Sequence, residues 1–87
     1  ELAEDYALVQ LAAPEPWVGK TLAELDLRRR HNVTVVAIRR RVQVSSESGE
    51  DAYEERVVDV PLPTSRVGPG DTLVIAGFNN DVAKLPR

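Results

Sequence analysis

The sequence predicts an α+β domain, a small sheet with short helices in the order β-α-β-β-β-α. Three observations carry this. Apolar runs rich in valine, leucine and isoleucine recur at 6–12, 33–38 and 73–76, each too short for an ordinary helix and each bounded by proline, glycine or asparagine. A helix start signal, Thr21-Leu-Ala-Glu24, stands between the first run and the second. Eighty-seven residues, 43% hydrophobic and 29% charged, suffice for one thin two-layer core.

The first strand is YALVQLAA at 6–13, closed by Pro14 and Pro16. Thr21 and Glu24 form a capping box, so a short helix starts at Leu22 and docks through Leu22 and Leu25, three apart on one face. Asp26 interrupts it. Arg28 to His31 give one more turn, and Asn32 is a left-handed stop. Val33 to Ile38 form a β-branched strand whose alternation extends to Val44. Thr34, Val36, Ile38 and Arg40 fall on one face, and Val33, Val35, Ala37 and Arg39 on the other. Residues 45–55, SSESGEDAYEE, read as an acidic hairpin tip, with Arg56 to Val60 returning as a strand. Gly68-Pro-Gly-Asp71 is a type II turn. Leu73 to Ala76 form the last strand, ended by Gly77, and Asn79 or Asn80 caps a helix over Asp81 to Leu85.

Two short helices cannot cover both faces of strands that are apolar on both sides. The remaining face needs a partner, and a second copy of the chain is the simplest one. The chain reads as a single domain over 1–87. Because it opens at Glu1 without methionine, it is expected to be an excised part of a longer protein.

Much chemistry is excluded by count. There is no cysteine, and the one histidine, His31, sits in an arginine run as a surface residue at a helix end. No nucleophile–base constellation is available, so no catalytic residue is assigned and the chain is not expected to be an enzyme. No metal site is expected either. Glu47, Glu50, Asp51, Glu54, Glu55 and Asp59 crowd one segment, but their spacing matches no EF-hand loop and reads as a solvated tip. A net charge of −3 argues against a nucleic-acid partner. No run is long enough to insert in a membrane, and the cytoplasm is the expected location. Arg28 to Arg30 sit at a helix end, where positive charge suits the dipole; the sharper reading is an anion site, for a phosphate, held by Arg28 near the apolar strand. Arg39 to Arg41 sit beside the acidic hairpin, as pairing partners for it.

The stretches VGKTLAELDLRRRHNVTVVAIRR and VGPGDTLVIAGFNNDVAKL, with a proline-containing loop between them, resemble the C-terminal regulatory domain of RCK proteins, also called TrkA-C. The likeness spans residues 5–86. Asn32 stands where the family usually has glycine, and the segment 42–58 is longer than its usual tight hairpin, which makes the acidic 45–55 segment an insertion. The resemblance implies a cytoplasmic, non-enzymatic, homodimeric module that controls potassium or related cation transport, working with a membrane channel or transporter or its N-terminal RCK lobe. It implies a small regulatory ligand at the dimer interface in some members, cyclic di-AMP being the best known for this lobe. Carried over residue by residue, the ligand site is Asp26, Arg28, Thr34, Val35, Val36 and Pro63. Arg28 meets a phosphate, and backbone groups of Val35 and Val36 meet polar groups of the ligand. Thr34 stands where ligand-binding members often carry asparagine. The alternative is a purely structural dimerisation lobe with no ligand of its own.

Overall fold

A computed structural model describes residues 5–45, 49, 51–58 and 60–86. The strands are β1 (Tyr6–Ala12), β2 (Val33–Ser45), β3 (Asp51–Val58) and β4 (Thr72–Phe78). The helices are α1 (Leu22–Leu25), α2 (Leu27–His31) and α3 (Asn79–Ala83). All neighbours in the sheet are antiparallel, in the order β1-β4-β2-β3. The expected α+β order is therefore observed, with the first helix in two pieces.

Asp26 makes that division. It ends α1 and starts α2 in the left-handed conformation, φ 50° and ψ 48°. Asn32 stops α2 in the same region, at φ 56°. The capping box is complete: the Glu24 amide donates to the Thr21 hydroxyl at 3.1 Å, and the Thr21 amide donates to the Glu24 carboxylate at 2.9 Å. The Thr21 amide and the Thr21 hydroxyl, which donates to the same carboxylate at 3.0 Å, hold the Glu24 carboxyl below its ordinary value. In the GPGD turn Gly70 takes the positive φ of 78°, and the Asp71 amide closes onto the Gly68 carbonyl.

Several boundaries differ from expectation. β3 begins at Asp51 rather than Arg56, so 51–55 are ladder and not tip; Arg41 pairs with Glu55 and Ser45 with Asp51. A polar two-stranded arm carries no apolar period to reveal it. Of the acidic tip, residues 46–48 and 50 lie outside the described residues, as does Asp59. Val60 lies beyond the strand. β4 runs through Gly77 to Phe78 because Gly77 is needed inside the sheet: a Cβ there would lie 2.8 Å from Val33 Cγ1. Finally, α3 starts at Asn79 after Phe78, without a side-chain cap.

The largest correction concerns the faces of β2. Its register against β4 shifts between Val35 and Ala37, so Val36 is an extra residue, a β-bulge. Before it Val33 and Val35 point at the core, opposite Gly77 and Ile75. After it Ile38 does, opposite Leu73. The expected grouping of Val36 with Ile38 on one face, and of Val33 and Val35 with Ala37 on the other, is broken by this one residue.

The helices cover one face only. Leu11, Val33, Ile38, Leu73 and Ile75 from the sheet pack with Trp17, Leu25, Leu27, Val67, Val82 and Leu85 from the connections and helices. Across the opposite face Leu8 (57% exposed), Phe78 and Val57 (68% exposed) stand in the open around Ala37, Val74 and Ala76. Among the described residues no helix is long and apolar enough to cross a membrane.

Candidate functional site

Among the described residues β3 pairs with Ile38–Ser45 and no strand pairs beside Val33 to Ala37 of β2 on the side away from β4. Beside this free edge lies a cleft of about 310 Å³, at the small end of ligand sites in general. Its floor is apolar, from Leu22, Leu27, Val33 and Val35. Pro61, Leu62 and Pro63 form the far wall. Asp26, Arg28 and Thr34 stand at the polar end.

The far wall is held by main-chain bonds. The first amides of α1 have no partner within the helix, and the loop supplies them: Leu22 donates to the Ser65 carbonyl and Ala23 to the Pro63 carbonyl, both at 2.9 Å. The Leu62 amide donates to the Ser65 hydroxyl, also at 2.9 Å. Thr21 bridges to Arg66, and Gly19 and Lys20 exchange bonds with Val67. The proline loop is thus fixed to α1 without closing the cleft.

The other wall comes from the two left-handed residues. Turning the chain at Asp26 brings Arg28 over the cleft, and turning it at Asn32 feeds β2 along its floor. The Asp26 carboxylate accepts from Arg29 Nε. The Asn32 amide donates to Asp81 at 3.1 Å, which ties the second turn to α3. Arg28 is exposed and, among the described residues, has no ion pair or hydrogen bond, whereas Arg29, Arg39, Arg40, Arg56 and Arg66 all have carboxylate partners. Arg28 also lines a second depression, with Tyr6, Asn32, Thr34 and Phe78.

Five of the six residues singled out in the sequence thus meet at one cleft: Asp26, Arg28, Thr34, Val35 and Pro63. Val36 does not line it; the bulge turns its side chain to solvent, 44% exposed. Sequence reasoning passed over Leu22, Ala23, Leu27, Val33, Pro61 and Leu62 as lining residues. Leu22 and Leu27 flank the Asp26 break, which is the signal that could have indicated them.

Other expectations divide. Arg39 meets the hairpin, with Glu55 at 3.7 Å and the Gln10 side chain at 2.9 Å, and Arg41 lies 5.1 Å over the Tyr53 ring. Arg40 does not. It turns to the buried Asp71 and donates twice, from Nε at 2.9 Å and Nη2 at 2.8 Å. Burial pushes the Asp71 carboxyl up, but these bonds and one from the Gly68 amide outweigh it and hold the group below its ordinary value. His31 is half-buried, its ring 6.0 Å from that of Trp17. Among the described residues no three His, Asp or Glu side chains gather to hold a metal.

Comparison with known proteins gives this geometry its context. The model of the TrkA-C domain matches residues 6–51, a little over half of the chain. The chain belongs to the TrkA-C family. Over all 87 residues it is 28% identical to the Ktr system potassium uptake protein C of Bacillus subtilis, and it spans about a third of that relative's length (34%). Among solved structures, the TrkA-C chain matches the C domain of the potassium transport protein KtrA, a regulator of conductance of K+, in complex with cyclic diadenosine monophosphate. That match has a TM-score of 0.65 and 25% identity, and it covers 93% of this chain and 80% of the other. The RCK domain of GsuK matches with the same TM-score, 0.65, at 24% identity, over 92% of this chain and 15% of the other, and shares the fold.

Proposed function

We propose that this TrkA-C domain is a regulatory lobe of a potassium-transport system. It senses a small anionic ligand, cyclic di-AMP or a similar nucleotide, in the cleft between α1, α2, the free edge of β2 and the proline loop. The observation that carries this is Arg28, a cation without a partner among the described residues, at the end of an apolar cleft beside unpaired strand. Apolar walls suit a base. The free edge at Val35 suits its polar rim, and Arg28 suits a phosphate. The cyclic di-AMP complex of the KtrA C domain supports the choice of ligand. The lobe acts from the cytoplasmic face on a membrane channel or transporter, directly or through an N-terminal RCK lobe. It is a homodimer closed over the exposed sheet face of Leu8, Val57 and Phe78, and the acidic 45–55 segment is an insertion in this lobe. A ligand that binds one arrangement of the dimer better than another shifts the population towards it.

Calorimetric titration with cyclic di-AMP tests this. Binding at micromolar concentration is expected. Arg28→Ala should weaken it about 10- to 100-fold, the worth of a charge-assisted hydrogen bond, while leaving Tm unchanged because the side chain is exposed and unpaired. No heat at high micromolar ligand refutes the ligand. A second reading then takes over, a dimerisation lobe with no ligand of its own, which the exposed apolar face supports.

A further inference from the structure

The two edges of the sheet are unlike. β3 carries Asp51, Glu54, Glu55 and Arg56 in eight residues, and such charges discourage another strand from adding. β1, the opposite edge, reads Tyr-Ala-Leu-Val-Gln-Leu-Ala, with no charge and no proline. Proteins that keep an edge strand in water normally blunt it, and among the described residues nothing blunts this one.

The backbone of that edge is available. The Ala13 amide donates to the Asp71 carbonyl, and the Asn79 amide donates to the Asp5 carbonyl. With the register of Val9 opposite Ile75, these bonds fix the parity: Ala7, Val9 and Leu11 exchange hydrogen bonds with β4. The N–H and C=O groups of Tyr6, Leu8, Gln10 and Ala12 therefore point away from the sheet. Next to them a largely apolar groove of about 420 Å³ runs between β1 and the segment of α3 and Leu85, lined by Val9, Gln10, Leu11, Ala12, Val82 and Leu85.

We propose that β1 is an assembly edge, pairing antiparallel with β1 of a second copy of this chain. With the two-fold axis at Val9, Tyr6 faces the partner's Ala12 and Leu8 faces the partner's Gln10. Every outward-pointing residue then meets an outward-pointing residue, which gives about eight hydrogen bonds. Val9 lies at the axis and Leu11 opposite the partner's Ala7, so the core layers of the two copies join across the groove. An uncharged strand repels neither itself nor its copy. This contact is separate from the exposed-face dimer proposed above, and the two together build an assembly larger than a dimer.

Backbone hydrogen exchange by NMR, on a sample whose mass is followed by light scattering, tests the pairing. The outward amides of Leu8 and Gln10 are expected to be protected as well as the inward amides of Val9 and Leu11. Fast exchange at Leu8 and Gln10 beside slow exchange at Val9 and Leu11 overturns the proposal, as does a monomer at hundreds of micromolar. Gln10→Pro removes the outward N–H together with the side-chain bond from Arg39 and should halve the mass, whereas Gln10→Ala, which loses the Arg39 bond but keeps the N–H, should leave it unchanged. Val57→Glu disrupts the exposed face alone. If it lowers the mass and Gln10→Pro does not, the edge pairing is refuted and the face contact stands; the reverse result supports the edge and refutes the face. Should Gln10→Pro fail to fold, the exchange pattern of the wild-type chain decides.

Discussion

Arg40 and Asp71 should not be equivalent targets. The Asp71 side chain is fully buried (0% exposed), while that of Arg40 is 37% exposed. Arg40→Met keeps the stem and removes the guanidinium, which strands a buried carboxylate with only the Gly68 amide, 2.7 Å away. Breaking a buried pair in this way costs about 3–5 kcal/mol. Asp71→Asn leaves Arg40 able to turn to water and keeps the volume of the turn, so its cost is about 2 kcal/mol, near that of the lost charge-assisted bonds. At about 4–8 °C per kcal/mol for a domain of this size, Tm should fall by roughly 12–40 °C for the first variant and 8–16 °C for the second. Urea denaturation gives the free energies and thermal melts give Tm, both followed by circular dichroism. The pH dependence has opposite signs. In the wild type the Asp71 carboxyl is held below its unfolded value. Its contribution to stability is present above an unfolded pKa of about 3.9 and is lost as pH falls through the folded value. In Arg40→Met burial acts nearly alone and raises the group, so the deficit should shrink on acidification from neutral pH towards the unfolded pKa. An Arg40→Met variant no less stable than Asp71→Asn, or a deficit that does not change with pH, refutes the reasoning.

Two further substitutions probe the frame of the cleft. Gly77→Ala places a methyl 2.8 Å from Val33 Cγ1 on the buried side of the sheet, and should cost about 1–3 kcal/mol in urea denaturation. Asn32 occupies a left-handed position and bonds Asp81 at an exposed site. Asn32→Gly should therefore lie within about 0.5 kcal/mol of wild type and Asn32→Val should lose about 1–2 kcal/mol; equal stabilities for the two would show that backbone conformation is not what the position selects.

The cleft was legible in part because its polar end is local. Asp26, Arg28 and Thr34 lie within nine residues, around two left-handed turns that asparagine and a helix-breaking aspartate announce. Only Arg28 stood out from the residues themselves, as a cation near an apolar strand; Asp26, Thr34 and Pro63 entered the site through the family resemblance, and nothing in the composition of a loop says which helix Pro63 will bond. Pro61 and Leu62 were not reached at all. Their place is set by amides of α1 that seek carbonyls some forty residues away.

The sequence by itself determined the element order, the capping box, the left-handed Asn32, the GPGD turn and the presence of more apolar strand surface than two helices cover. Each is written in residues within a turn or two of one another, where steric preference and periodicity act directly. Only the tertiary structure decided the faces of β2. One bulged residue, Val36, reverses the alternation, and whether it bulges depends on the register against β4, a strand nearly forty residues further on. The same non-local register put Gly77 inside a strand and took Arg40 away from the acidic hairpin to Asp71. Register is fixed by which side chains fit together across strands, and that fit exists only once the distant partner is in place.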